Sequence, residues 1–201
     1  MKLYAFLKNL PVNELRITFP TKLTIFRILS IPFIVYSIFS HNWNLAFFLI
    51  VFSSLSDLLD GYLARKWNEQ TLLGAILDPI ADKLFILSTY YALIDHPPAY
   101  FIPVSLFFLV LFKEILLVFG AFIVFVLKGN LDIKPTILGK ITMDAHSLFI
   151  IWIFLSYFLN LENINLYIIF LSIIFVLVLS SFVHYVTIGF KQFYFQNNIQ
   201  K

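Results

Sequence analysis

Leu, Ile, Val and Phe dominate six stretches of the chain, at roughly residues 22–40, 43–66, 72–94, 99–127, 136–159 and 164–189. Each stretch is long enough to cross the hydrocarbon core of a bilayer as a helix. The apolar positions surround each helix instead of following one stripe, which argues against an ordinary soluble bundle. Polar breaks separate the runs. "SHNWN", "IDHPPAY" and "NLENIN" fall on one side, and "KWNEQT" and "LKGNLDIKPT" on the other. Residues 1–19 behave differently, being too polar to span. There Leu3, Phe6, Leu7 and Leu10 share one helical stripe with Lys2 and Lys8 off it, a pattern that predicts a short helix lying in the interface. Pro11 and Pro20 mark its ends. The pattern therefore predicts an all-α polytopic membrane protein with six transmembrane helices and an N-terminal interfacial helix. It forms a single domain over 1–201, with the bundle at 22–189 and a tail at 190–201.

Composition agrees with this reading: 61% of residues are hydrophobic and 12% charged, with a mean hydropathy of +0.92. The chain has no cysteine, which excludes disulfides and thiolate metal sites. Its N-terminus lacks an apolar core of signal-peptide length with a cleavage site. Charge fixes an orientation. The three loops on the first side carry no Lys or Arg. Lys2, Lys8, Arg16, Lys22, Arg65, Lys66, Lys128, Lys134, Lys140, Lys191 and Lys201 gather on the other side, leaving Arg27, Lys83 and Lys113 inside spans. The positive-inside rule makes the basic side cytoplasmic and puts both termini there. No nucleic-acid partner is expected.

Four carboxylates disturb this apolar picture. Asp57 and Asp60 stand three apart near the end of the second span, with the small residues Gly61 and Ala64 continuing their face. Gly74, Asp78 and Asp82 repeat every four residues at the start of the third span. The short "KWNEQT" link predicts antiparallel neighbours whose acidic stripes face each other just below the basic surface. Each intramembrane acid costs about 2.5–3.5 kcal/mol even on lenient insertion scales. Protonation, basic partners such as Arg65 and Lys83, or hard divalent cations would each relieve the cluster. Two divalent ions held by shared carboxylates suit displacement at phosphorus, with a carboxylate to take the proton.

The stretch from Asp57 to Asp82 reads D-x2-D-G-x2-A-R-x8-G-x3-D-x3-D. It resembles the signature of the CDP-alcohol phosphatidyltransferases at every fixed position and spacing. The resemblance implies an enzyme that moves a phosphatidyl group from CDP-diacylglycerol to an alcohol and releases CMP. It implies that Asp57, Asp60, Asp78 and Asp82 ligate two divalent cations, Mg²⁺ or Mn²⁺, and that Asp82 is also the catalytic base. Asp57, Asp60, Gly61, Ala64, Arg65 and Gly74 would form the nucleotide site. It further implies a homodimer in a membrane, most simply a bacterial cell membrane, with the active site facing the cytoplasm.

"FPTKLTIFRILSIPF" and "KPTILGKITM" are similar to stretches of phosphatidylglycerophosphate synthases and eukaryotic-type cardiolipin synthases. Thr21 departs from the Asn of that group, and Lys113-Glu114 from its usual Arg followed by an acid. A phosphate-bearing acceptor needs cations near the metals, and Arg27, Lys83, Lys113 and Lys140 are the candidates, of which Lys83 could instead simply neutralise a neighbouring acid. They favour sn-glycerol 3-phosphate as acceptor, with phosphatidylglycerol, giving cardiolipin, as the alternative. Lys113 could instead pair with Glu114 or Asp144. Asp144 and His146 enter the fifth span near Lys140 and lie outside the signature. Pro79 follows Asp78 and removes a helical donor beside the acids. An ion-coupled transporter is the rival class, because intramembrane acids also mark ion pathways. Here the signature acids cluster near one face, whereas transport predicts acids spread through the membrane depth.

Overall fold

The computed structural model describes residues 16–67, 69, 71–128, 136–161 and 163–199, with side chains at all of these except 72, 121–128 and 189–199. Six helices follow in order: α1 (Phe19–Phe39), α2 (Trp43–Lys66), α3 (Leu72–Asp95), α4 (Val104–Lys128), α5 (Ile137–Phe158) and α6 (Ile164–Ile199). No strand occurs among the described residues. The expected interfacial helix lies outside the described residues except for its last few positions. Among the described residues, four helices are long and apolar enough to cross a membrane: α1, α2, α5 and the segment Ile164–Ile188 of α6. The chain is therefore an integral membrane protein. α3 has the length, but it carries Asp78, Asp82, Lys83 and Asp95.

Side-chain caps fix several helix starts. Asn42 accepts from Leu45 N at 3.3 Å, Thr71 from Gly74 N at 3.1 Å, and Thr136 from Gly139 N at 3.1 Å. Asn163 accepts from Leu166 N at 3.2 Å. Each cap satisfies a backbone donor that the helix itself leaves unpaired. Two helix ends share one device. After α1, Asn42 N bonds Ser37 O and His41 N bonds Ile38 O. After α5, Leu161 N bonds Ser156 O and Asn160 N bonds Tyr157 O. These are Schellman motifs, and they put His41 (φ 56°) and Asn160 (φ 50°) in the left-handed region that glycine usually fills.

The chain divides into two compact units. The first comprises residues up to Ile102 together with Ile150–Leu161; the second comprises Pro103–Phe149 and the residues from Glu162 onward. In the first, α1 packs against both α2 and α3. Ile34, Ile38, Ile50, Tyr90 and Leu93 are fully buried there. Aromatic rings crowd the end without basic residues: Trp43 meets Tyr157 at 6.2 Å, and Tyr100 stacks on Trp152 at 5.5 Å. Such amphipathic rings suit the depth of lipid headgroups. In the second unit α4 packs on α6, and Thr142 of α5 reaches the Leu177 carbonyl of α6 at 3.4 Å.

Candidate active site

α1 supplies the centre of the acidic cluster. Thr21, Thr24 and Arg27 recur every three residues, and all three are buried on a mostly apolar helix, with Ser30 continuing the buried stripe. From α2 come Asp57 and Asp60, and from α3 come Asp78 and Asp82. Arg27 Nη1 donates to Asp57 and to Asp82 Oδ1 at 2.9 Å. Its Nη2 stands 3.6 Å from Asp60 Oδ2 and 4.0 Å from Asp78 Oδ1. One guanidinium thus sits among all four acids. The Thr24 hydroxyl lies 2.8 Å from Asp78 Oδ1 and 3.2 Å from Asp60 Oδ2, tying the two acidic helices together through α1.

This geometry revises the expected pairing. The acidic stripes do not meet as the direct faces of an α2–α3 hairpin; both pack on α1, which lies between them. The reason is chemical. α1 offers a hydroxyl and a guanidinium along the line where two acidic stripes would otherwise repel. Arg27, read from the sequence as a cation inside a span and a candidate for the acceptor phosphate, is 2% exposed and lies at the acids themselves. Arg65 and Lys66 occupy the last turn of α2, where cations favour the helix dipole.

A cavity of about 140 Å³ adjoins the cluster. Asp60, Ala64, Gly74 and Asp78 line it, together with Thr21, Thr24, Glu69 and Thr71. Asp60, Ala64 and Gly74 from the expected nucleotide set therefore border one space. Thr24, Thr71 and Glu69 were not picked out from the sequence, and Thr21 was noted there only as a departure from Asn. Thr21 and Thr24 had a readable signal, a polar stripe on an apolar helix. A Cβ on Gly61 would meet nothing within 4 Å, whereas one on Gly74 would stand 3.3 Å from Thr71 Oγ1. The two signature glycines differ: one opens outward and the other touches a cap.

The expected acceptor residues other than Arg27 belong to the second unit. Lys113 is buried and pairs with Glu114 at 2.8 Å, the first of the two partners expected from sequence. Lys140 and Asp144 are exposed on α5, and His146 is fully buried.

Carboxylate and hydroxyl oxygens are hard donors of the kind that Mg²⁺ and Mn²⁺ take, so the residue types fit a divalent site. With the guanidinium among them, no three acids or histidines among the described residues form a group able to hold a metal ion.

An ionic cluster of this kind, set among the helices of an integral membrane protein, defines a membrane protein with a polar candidate active site. Comparison with known proteins narrows the class. The family model for CDP-alcohol phosphatidyltransferase matches residues 17–188. The CDP-diacylglycerol–glycerol-3-phosphate 3-phosphatidyltransferase of Aquifex aeolicus (strain VF5) is 34% identical over 183 residues, 87% of this chain and 97% of its own length. The enzyme of that name from Haemophilus influenzae is 38% identical over 93 residues, 45% of this chain and 50% of its own. Human cardiolipin synthase (CMP-forming) is 36% identical over 108 residues, 53% of this chain and 35% of its own. The chain belongs to the CDP-alcohol phosphatidyltransferase family, and it is a phosphatidyltransferase of phospholipid synthesis.

Proposed function

We propose that the protein transfers a phosphatidyl group from CDP-diacylglycerol to sn-glycerol 3-phosphate, giving phosphatidylglycerophosphate and CMP. The observation that carries the reading is the gathering of four signature aspartates from two helices around one buried arginine. Similarity to the Aquifex enzyme over nearly its whole length supports the acceptor. Asp57, Asp60, Asp78 and Asp82 would hold two divalent cations, Mg²⁺ or Mn²⁺, which when bound supply charge neutralisation at the diphosphate.

The chain's own residues account for the rest. The cavity beside Asp60, Ala64 and Gly74 receives the nucleotide, with Gly61 and Arg65 at its approach. Asp82 accepts the proton of the acceptor hydroxyl. The acceptor oxygen forms a bond to the phosphorus that bears diacylglycerol, the bond from that phosphorus to CMP breaks, and CMP leaves with its electron pair. Arg27 serves the acceptor phosphate. α3 and α4 also cross the bilayer, giving six spans in one domain with residues 1–19 at the interface. The basic ends, the site and both termini face the cytoplasm of a bacterial cell. The working form is a homodimer.

The human relative keeps a second acceptor in view: phosphatidylglycerol, giving cardiolipin. Family membership favours transferase over ion-coupled transporter. The deciding experiment incubates purified protein with CDP-diacylglycerol, Mg²⁺ or Mn²⁺, and one acceptor at a time. CMP release that requires sn-glycerol 3-phosphate is expected. Release with phosphatidylglycerol alone would reassign the acceptor, and no release with any alcohol would overturn the function.

A further inference from the structure

Arg27 is poorly bonded for so buried a cation. Its Nε and Nη2 have no hydrogen-bond partner, although the side chain is 2% exposed. Only Nη1 makes close contacts, to Asp57 and Asp82. A guanidinium retained for architecture normally uses its planar fork in paired, directional bonds. Here the fork formed by Nε and Nη2 goes unused, with Nη2 still 3.6 Å from Asp60. Charge holds the group more than geometry does.

The charge balance is also unfinished. One guanidinium faces four carboxylates, so the cluster keeps an excess of formal negative charge. Two divalent cations would neutralise four carboxylates by themselves. Adding them with the guanidinium still in place would leave an excess of positive charge where like charges repel most strongly. The arginine and a full set of cations therefore compete for the same oxygens.

We infer that Arg27 is a built-in counter-ion: it occupies the carboxylate cluster until divalent cations bind, and then gives up its contacts with the aspartates to them. The inference rests on the metal-dependent function proposed above and adds a role for this residue that precedes substrate binding. The guanidinium keeps the acids folded around α1 at an affordable electrostatic cost. Its unsatisfied donors mean that little directional bonding is lost when it leaves. A freed fork is then available to a phosphate.

The test uses Mn²⁺ alone, titrated into the full-length protein in phosphatidylcholine nanodiscs and followed through the spin resonance of the free ion. Arg27→Gln is expected to bind Mn²⁺ about tenfold more tightly than the wild type, or better, because no cation has to be displaced. Its metal-free form is expected to melt at a lower temperature, with saturating Mn²⁺ closing the gap. Equal or weaker Mn²⁺ binding by Arg27→Gln would overturn the inference, since a fixed organiser of the site loses affinity when removed. If bare acids stop Arg27→Gln from folding, the double variant Arg27→Gln/Asp57→Asn restores the charge balance. It is expected to bind Mn²⁺ more tightly than Asp57→Asn alone, and equal or weaker binding again overturns the inference. CMP release is measured on the same wild-type preparation. A wild type that turns over while Arg27→Gln gains no affinity refutes the counter-ion role alone. A gain of affinity in a protein that releases no CMP supports the counter-ion role and refutes the proposed reaction.

Discussion

Gly61 offers a prediction in which stability and activity move in opposite directions. It lies inside α2, one residue past Asp60, and a Cβ placed on it meets no atom within 4 Å. In a helix interior, replacing Gly by Ala gains about 0.5–1 kcal/mol by restricting the unfolded chain. With no neighbour to displace, nothing in the protein offsets that gain. Gly61→Ala is therefore expected to raise the melting temperature by about 2–4 °C per kcal/mol for a chain of this size. The proposed nucleotide, however, approaches this bare backbone. A methyl group pressed into such a contact costs about 1–3 kcal/mol, roughly a 5- to 150-fold loss of affinity. Thermal unfolding without substrate gives the first quantity, and CMP release across CDP-diacylglycerol concentrations gives the second. An unchanged KM would mean that nothing docks on this face. A lowered melting temperature would mean the face is not open. Gly74→Ala is the control, because its Cβ would stand 3.3 Å from the Thr71 hydroxyl that caps α3 and 3.6 Å from that of Thr21. There stability and affinity are expected to fall together.

Other expectations follow from single contacts. A Cβ on Gly139 would collide with the Tyr185 hydroxyl, so Gly139→Ala is expected to cost about 1–3 kcal/mol, read as a lowered melting temperature that Tyr185→Phe partly restores. Asn160 holds a left-handed backbone at the end of α5 (φ 50°); Asn160→Gly removes that strain and is expected to be neutral to stabilising by about 1 kcal/mol, whereas Asn160→Val should destabilise. Asp82→Asn is expected to abolish CMP release while largely sparing CDP-lipid binding, measured by retention of labelled donor. Undiminished turnover would remove Asp82 from the base role.

How much of this could be read in advance depends on which interactions are local. Helical periodicity links residues three and four apart, so the grouping of Asp57 with Asp60, and of Asp78 with Asp82, was visible in the spacing. The six helices were legible for the same reason: long apolar runs interrupted by Asn, Pro and Gly leave little choice of element. Local spacing says nothing about which face of a distant helix comes to rest between two others. The sequence made Arg65 and Lys83 the natural neutralisers, because they adjoin the acids along the chain. Arg27 reaches Asp57 and Asp82 from thirty and fifty-five positions away. What brings it there is the polar stripe of α1, and its meaning depends on its partners. In an apolar helix Thr21, Thr24 and Arg27 must find oxygen or charge somewhere, because buried polar groups left alone are costly. In the first unit, that demand is met where the two acidic helices share a common neighbour. A polar stripe on one helix and acidic stripes on two others thus constrain one another, and their mutual satisfaction sets the packing of α1 against α2 and α3.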